Sequence, residues 1–198
     1  MRRSDDKYGV TDAGGPGGRV TGEKPPQPRM EVTMESAVAS VAQAGKYLSF
    51  VLGEEEYGLE ILKVQEINGM MDITRVPRTP EYVRGVINLR GRVIPIVSLR
   101  EHFKMPAVED TEKTCIIVVQ VRYQESQITM GIVVDEVSEV LNITEDQIEQ
   151  APSFGGGMDE ADFITGMGKL DNKVVILLDI DQALNGQELE SIVQQASQ

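Results

Sequence analysis

At 198 residues, with 40% apolar and 26% charged positions, the chain has the make-up of a soluble globular protein of one or two domains. A single cysteine, Cys115, and a single histidine, His102, exclude an internal disulfide framework, a CxxC site and a two-histidine metal centre. No run approaches the roughly 20 apolar residues of a membrane helix, and the basic N-terminus is not followed by the apolar core of a secretory leader. The expected compartment is a reducing cytoplasm.

The net charge of -13 is unevenly spread. Residues 1–45 are balanced, so the excess lies in residues 46–198, with 13 basic and 26 acidic groups. Within that part a basic belt stands out: Arg75, Arg78, Arg84, Arg90, Arg92, Arg100 and Lys104, against only Glu81 and Glu101. A basic belt in an acidic body suits charge-complementary protein contacts better than nucleic acid, which usually selects a domain that is basic overall.

In chain order, residues 1–45 read as a disordered tail. Gly14, Gly15, Pro16, Gly17 and Gly18, then Pro25, Pro26 and Pro28, resist regular structure, and few large apolar residues offset the entropy of ordering. Met34 to Ala44 has the texture of a frayed linker helix. From Lys46 the pattern changes to short β-like runs between turn residues. Tyr47 to Leu52 and Tyr57 to Ile61 flank a turn at Gly53 to Glu56. Ile73 to Val76 is extended and ends at Pro77. Thr79 with Pro80 offers the start of a brief helix through Tyr82 and Val83. Val86 to Leu89 and Val93 to Val97 make a hairpin about Arg90-Gly91, with Pro95 expected at an edge or a bulge. Ser98 and Glu101 have capping-box spacing and open a short helix through Phe103.

Cys115 to Val121 and Ile128 to Val134 are apolar runs about a polar turn, and Val137 to Ile143 is a further strand. Thr144 with Gln147 forms another capping box. After a glycine loop at Gly155 to Gly157, Ile164 to Leu170 and Val174 to Leu178 pair across Asp171 to Lys173. Asp181 is expected to cap a last helix over about 181–195. Nine or ten short strands with only brief helices predict an all-β fold of two small barrels over residues 46–198.

The residue chemistry does not assemble an active site. His102 has no Ser or Cys nucleophile motif beside it, and Cys115 lies in an apolar run where cysteine behaves as a small hydrophobe. The glycine clusters lack the Lys-Ser/Thr of a phosphate loop. Two rival classes remain at this point. A small-barrel nucleic-acid binder would use the basic belt, and a metal-dependent hydrolase would use Asp135, Asp179 and Asp181.

The segment Arg84-Gly85-Val86-Ile87-Asn88-Leu89-Arg90-Gly91-Arg92-Val93-Ile94-Pro95-Ile96-Val97 resembles the signature hairpin of the CheW family of chemotaxis coupling proteins. Tyr47-Leu48-Ser49-Phe50, Glu55-Glu56-Tyr57-Gly58, Val64-Gln65-Glu66-Ile67 and Ile73-Thr74-Arg75-Val76-Pro77 match as well. So do Gly131-Ile132-Val133-Val134-Asp135, Val137-Ser138-Glu139-Val140-Leu141 and Leu177-Leu178-Asp179-Ile180. The match runs in the family's order from about Lys46 to Leu189 and leaves residues 1–45 outside.

The resemblance implies two five-stranded β-barrel subdomains and a cytoplasmic adaptor without catalytic activity or cofactor. Such an adaptor couples the cytoplasmic tips of chemoreceptors to the regulatory domain of the histidine kinase CheA, with further CheW copies as array partners and no nucleic acid or inserted membrane segment. By the same resemblance Val64, Glu66, Ile67, Gly85, Gly131, Val137 and Val140 match positions associated with a receptor groove between the barrels. Arg90 matches the arginine of the Asn-Leu-Arg-Gly turn, expected near Glu66. An apolar groove of this kind suits the apolar stripe of a helix. One departure is visible: Ser98 stands where the family usually has aspartate. Serine can still cap the following helix, but any ion pair of that carboxylate is lost.

Overall fold

A computed structural model of the chain describes residues 41–123, 126–151 and 163–184. The described residues form β1 (Gly45–Leu52), β2 (Glu55–Glu60), a 3-10 turn (Ile61–Lys63), β3 (Val64–Gly69), β4 (Val83–Leu89), β5 (Arg92–Ser98) and α1 (Leu99–His102). There follow β6 (Cys115–Tyr123), β7 (Ser126–Val134), β8 (Glu136–Ile143), a second 3-10 turn (Glu145–Gln147), β9 (Ile148–Glu149), β10 (Ile164–Leu170), β11 (Lys173–Leu178) and α2 (Ile180–Ala183). The fold is all-β with short helices, in two sheets. One has the order β8-β1-β2-β11-β10-β9 and the other β3-β6-β7-β5-β4. The six-stranded sheet exceeds the expected five because the two-residue β9 pairs with β10. The five-stranded sheet is continuous in sequence, whereas its companion gathers the first two strands and the last four. The antiparallel pair β1–β8 and the parallel pair β2–β11 join those two groups.

Strand alternation explains why β6 and β7 read as unbroken apolar runs. Side chains of successive residues face opposite ways, and both faces of these strands are buried. Ile116, Val118 and Val133 join Ile87, Ile94 and Ile96 in a cluster belonging to the five-stranded sheet. Ile117, Val119, Val121, Met130, Ile132 and Val134 face the other way, into a cluster shared with Leu48, Phe50, Leu52 and Leu59 of the six-stranded sheet. Tyr47, Ile143, Val175 and Leu177 form that sheet's own cluster. The shared layer also carries stacked aromatics, with Phe103 and Phe163 ring centroids 4.6 Å apart.

Local signals held where the chain's own chemistry decides. The two-residue turn between β4 and β5 puts Arg90 at φ 53° and Gly91 at φ 83°. Positive φ at both central positions is the hairpin turn whose twist matches that of its strands. Asn88 Oδ1 accepts from the Gly91 N–H at 2.9 Å. Ser98 caps α1 by accepting from the Glu101 N–H at 3.3 Å, and Gln147 Oε1 accepts from the Thr144 N–H at 3.0 Å.

Three expectations are corrected. Residues 79–83 form a turn rather than a helix: Val83 N–H donates to the Pro80 carbonyl at 3.0 Å, while the Tyr82 carbonyl is taken by the Ser98 N–H at 2.7 Å. Sheet pairing claims the group a helix would need. Asp179, not Asp181, caps α2, accepting from the Asp181 N–H at 2.9 Å. Cys115 is half-buried rather than inside the core. Residues 1–40, Gly155 to Gly157 and positions 185–195 of the expected last helix lie outside the described residues. Nearer the body, the Ala42 N–H donates to the Thr165 carbonyl at 3.1 Å.

Pro95 is accommodated without an edge. Its partner Val86 exchanges both backbone bonds with Thr74 on the far side, at 2.9 Å each. Pairing of β5 with β7 begins only at Ile96. Neither neighbour asks Pro95 for an N–H, and the register break between Val83 and Gly85 lies beside it.

A buried serine holds the outer strand β8. There the register skips, so that Ser138 and Glu139 together oppose Ser49 of β1. Ser49 is fully buried; its hydroxyl donates to the Glu139 carbonyl at 3.1 Å and accepts from the Glu139 N–H at 3.2 Å. One side chain thus serves both backbone groups that the bulge leaves without a ladder partner. Ser49→Ala is expected to cost about 1–3 kcal/mol, seen as a lower urea midpoint at unchanged slope.

Candidate interaction surface

The outer strands β3 and β8 carry five of the eight residues singled out from the sequence, and each strand contains a bulge. In β3 the register passes from Val64 opposite Val119 to Glu66 opposite Val118, which leaves Gln65 extra. Cross-strand partners share a face, so Val64 lies on the face of Val119 and Ile67 on the face of Ile117. Both of those partners belong to the layer between the sheets. In β8, Val140 opposes Leu48 and Val137 opposes Phe50, again on the face of that shared layer.

In an unbroken strand residues three apart point to opposite sides; each bulge returns such a pair to the same side. Val64 and Val137 pack against the shared cluster, while Ile67 is 44% and Val140 51% exposed. Each outer strand therefore offers one anchored and one exposed aliphatic side chain on the inter-sheet side.

Glu66 lies on the opposite face of β3 and meets Arg90 at the tip of the β4–β5 hairpin, Nη2 to Oε2 at 2.8 Å. The Arg90 side chain is 80% exposed. Its pair contributes only about 0–1 kcal/mol of stability, and what it sets is the direction of an exposed guanidinium. Glu66 and Arg90 are the two singled-out residues joined by a direct side-chain bond.

Gly85 and Gly131 are buried, and both sit where a side chain would not fit. A Cβ on Gly131 would stand 2.4 Å from Ile96 Cδ1 and 2.7 Å from Ile116 Cγ2. At Gly85, φ is +138° and a Cβ would stand 2.2 Å from the Thr74 carbonyl oxygen. These glycines shape the sheet behind the surface.

The sequence reading passed over Leu62. It is 90% exposed at the middle of the 3-10 turn leading into β3. The run expected over Tyr57 to Ile61 stops just before it, and the 3-10 turn is what places it in solvent.

The basic belt is divided. Arg84 pairs with Asp110 at 2.6 Å, and Arg100 pairs with Asp135. The Asp110 hydrogen bond holds the Arg84 guanidinium above its usual range despite partial burial. Arg75, Arg78 and Arg92 make no ion pair among the described residues. Arg75 and Arg84 line an open cleft of about 530 Å³, but Glu81, Glu101, Glu109 and Asp110 line it too. Two of the belt's six arginines, Arg84 and Arg100, are thus spent in partly buried ion pairs and acidic groups interrupt the rest, which leaves no continuous track for a phosphate backbone.

The residues considered for catalysis are also placed. His102 Nε2 lies 2.5 Å from the Ala183 carbonyl oxygen, with its ring edge-on to Tyr82 at 4.8 Å between centroids. Asp135 holds Arg100 and accepts from the Gly53 N–H at 2.7 Å. Asp179 caps α2, and Asp181 turns away to Lys63 and to the Arg122 N–H. Their carboxylates serve separate structural bonds, and no group of three or more potential metal ligands is gathered among the described residues. No described helix is long and apolar enough to cross a membrane.

Comparison with known proteins gives the family. Residues 46–188 match the family model described as CheW-like domain. The chemotaxis protein CheW of Klebsiella aerogenes is 42% identical over 154 residues, which span 78% of this chain and 90% of that relative. The chemotaxis protein CheW of Bacillus subtilis is 32% identical over 155 residues, spanning 78% and 96%. The crystal structure of the scaffolding protein TtCheW from Thermoanaerobacter tengcongensis superposes with a TM-score of 0.63 at 34% identity, covering 74% of this chain and 96% of that one. With two sheets, a shared apolar layer and the Asn-Leu-Arg-Gly hairpin in place, the chain belongs to the CheW family and is a non-catalytic scaffolding protein of chemotaxis.

Proposed function

We propose that the chain couples the cytoplasmic tips of chemoreceptors to the regulatory domain of the histidine kinase CheA, in a cytoplasmic complex recruited to membrane-associated receptor arrays that also holds further copies of itself. The observation that carries this reading is the pair of bulged outer strands. Ile67 and Val140 present aliphatic side chains beside a buried apolar layer, an arrangement that can take the apolar stripe of a receptor helix. Val64 and Val137 anchor those strands, Gly85 and Gly131 set the sheet beneath, and the Glu66–Arg90 pair orients the polar flank. Residues 46–198 form the coupling module, to whose sheet the preceding Ala42 and Gly45 are already bonded.

Calorimetric titration of the full chain with the regulatory domain of CheA from the same organism is expected to give a Kd of about a micromolar or tighter. Titration with a receptor-tip fragment is expected to be weakened by Val140→Glu, which puts a charge on the exposed apolar side, with the kinase titration unchanged. Absence of heat with CheA would remove the kinase half of the reading. An unaltered receptor titration in the Val140→Glu variant would remove the groove.

A further inference from the structure

The 3-10 turn Ile61–Lys63 leads directly into β3, yet little within the turn holds it. Its N-cap Glu60 makes no capping side-chain bond, and none of its three residues is fully buried. Leu62 at its middle projects almost entirely into solvent. Ile61 before it and Val64 after it rest on the shared apolar layer, which fixes depth but not rotation.

A distant side chain supplies the missing constraint. The Lys63 ammonium pairs with Asp181 Oδ2 across 118 positions of sequence. Neither partner is fully open, with side-chain exposures of 27% and 20%. The other oxygen, Asp181 Oδ1, accepts from the Arg122 N–H at 2.7 Å. One carboxylate thus ties the turn before β3 to the end of β6, the strand on which β3 is paired. Asp181 is held in its turn, because its own N–H donates to Asp179 Oδ1 at 2.9 Å. From the other side, His102 Nε2 lies 2.5 Å from the Ala183 carbonyl, which fixes the far end of α2 against α1.

We propose that Asp181 is a positioning residue of the receptor-facing surface. By clamping Lys63 it fixes the rotation of the Ile61–Lys63 turn, and so the direction in which Leu62 and the start of β3 meet a receptor helix. The inference rests on the groove reading given above and adds Leu62 as an apolar anchor at its end. It also makes α2 a mechanical support of the site although α2 contributes no contact surface to it. Asp181 was expected to cap that helix, and Asp179 performs the cap instead. The freed carboxylate is what reaches Lys63.

Two variants test the clamp on the full chain. Asp181→Asn removes the charge but keeps an oxygen for the Arg122 N–H, and Lys63→Ala removes the pair from the opposite side while leaving Asp181 in place. Both are expected to weaken binding of a soluble receptor-tip fragment about tenfold, with affinity for the CheA regulatory domain unchanged within about twofold. Backbone amides of residues 61–67 are expected to exchange hydrogen faster in both variants, at rates that Lys63→Arg returns to those of the parent. Leu62→Ala is expected to lose receptor affinity without changing amide exchange.

Unchanged amide exchange in both clamp variants would overturn the proposal, whatever the receptor titration shows. So would equal losses toward receptor and kinase, which would mark a general loss of structure. A parent protein that binds no receptor fragment would overturn the groove reading and the role of Leu62 together. The exchange experiment reports on the clamp by itself.

Discussion

Gly85→Ala is expected to lower stability by about 3 kcal/mol or more, a fall in melting temperature of roughly 6–12 °C for a domain of this size. The backbone there has φ +138°, and the new Cβ would lie 2.2 Å from the Thr74 oxygen and 2.8 Å from the Thr74 carbonyl carbon. Those are backbone atoms, so no rotamer change relieves the overlap. Retreat of Thr74 would break its two 2.9 Å bonds with Val86 and expose the apolar interior beneath β4. Gly91→Ala is the control. Its φ is +83° and nothing lies within 4 Å of the new carbon, so only the left-handed penalty of about 1 kcal/mol applies. Denaturant midpoints of the two variants measure the difference. Equal, small losses at both positions would show that the chain after β3 is free to move away from β4, and would return Gly85 to the list of direct contact residues.

Arg90→Ala is expected to abolish most kinase activation in a reconstituted receptor–kinase assay while leaving the melting temperature within about 2 °C of the parent. The side chain is 80% exposed, and its Glu66 pair is open to solvent on that side. Screening keeps the stability of such a pair small. Its removal takes a directed charge from the hairpin tip and leaves Glu66 unopposed on the flank of β3. At a protein interface an unopposed carboxylate weakens the complex through desolvation and repulsion. Lysine at position 90 is expected to restore activity only in part, because it lacks the planar fork that can hold one carboxylate while presenting further N–H groups. A melting temperature lowered by many degrees would instead assign Arg90 to the fold.

The two experiments separate kinds of residue that the sequence presents alike. Gly85 and Arg90 belong to one hairpin motif and were singled out together, yet one is covered by the chain beside it and the other stands in solvent. Leu62 shows the reverse case. It lies just past the run from Tyr57 to Ile61, and its exposure follows from a turn that periodicity does not reveal. Asp181 likewise has the spacing of a helix cap. Which of two nearby aspartates caps α2 depended on where Lys63 and the end of β6 lie.

The sequence by itself determined the parts whose causes are local. The β4–β5 turn follows from Asn88 and Gly91, because glycine takes positive φ freely and a side-chain bond spanning three residues closes it. The Ser98 and Thr144–Gln147 turns follow from capping chemistry in the same way. The apolar runs of β6 and β7 made a buried β core unavoidable, since no other arrangement hides both faces of such strands.

Tertiary structure alone decided which strands share a sheet, with β2 returning to β11 in parallel. It also decided that Val64 and Ile67, like Val137 and Val140, lie on one face. A bulge is a mismatch between two strands distant in sequence, so neither strand encodes it alone. In β8 the mismatch is stabilised by Ser49, a residue of the partner strand 90 positions away. The proposed site residues were reached only through the family resemblance; the faces they occupy required both partners of each ladder.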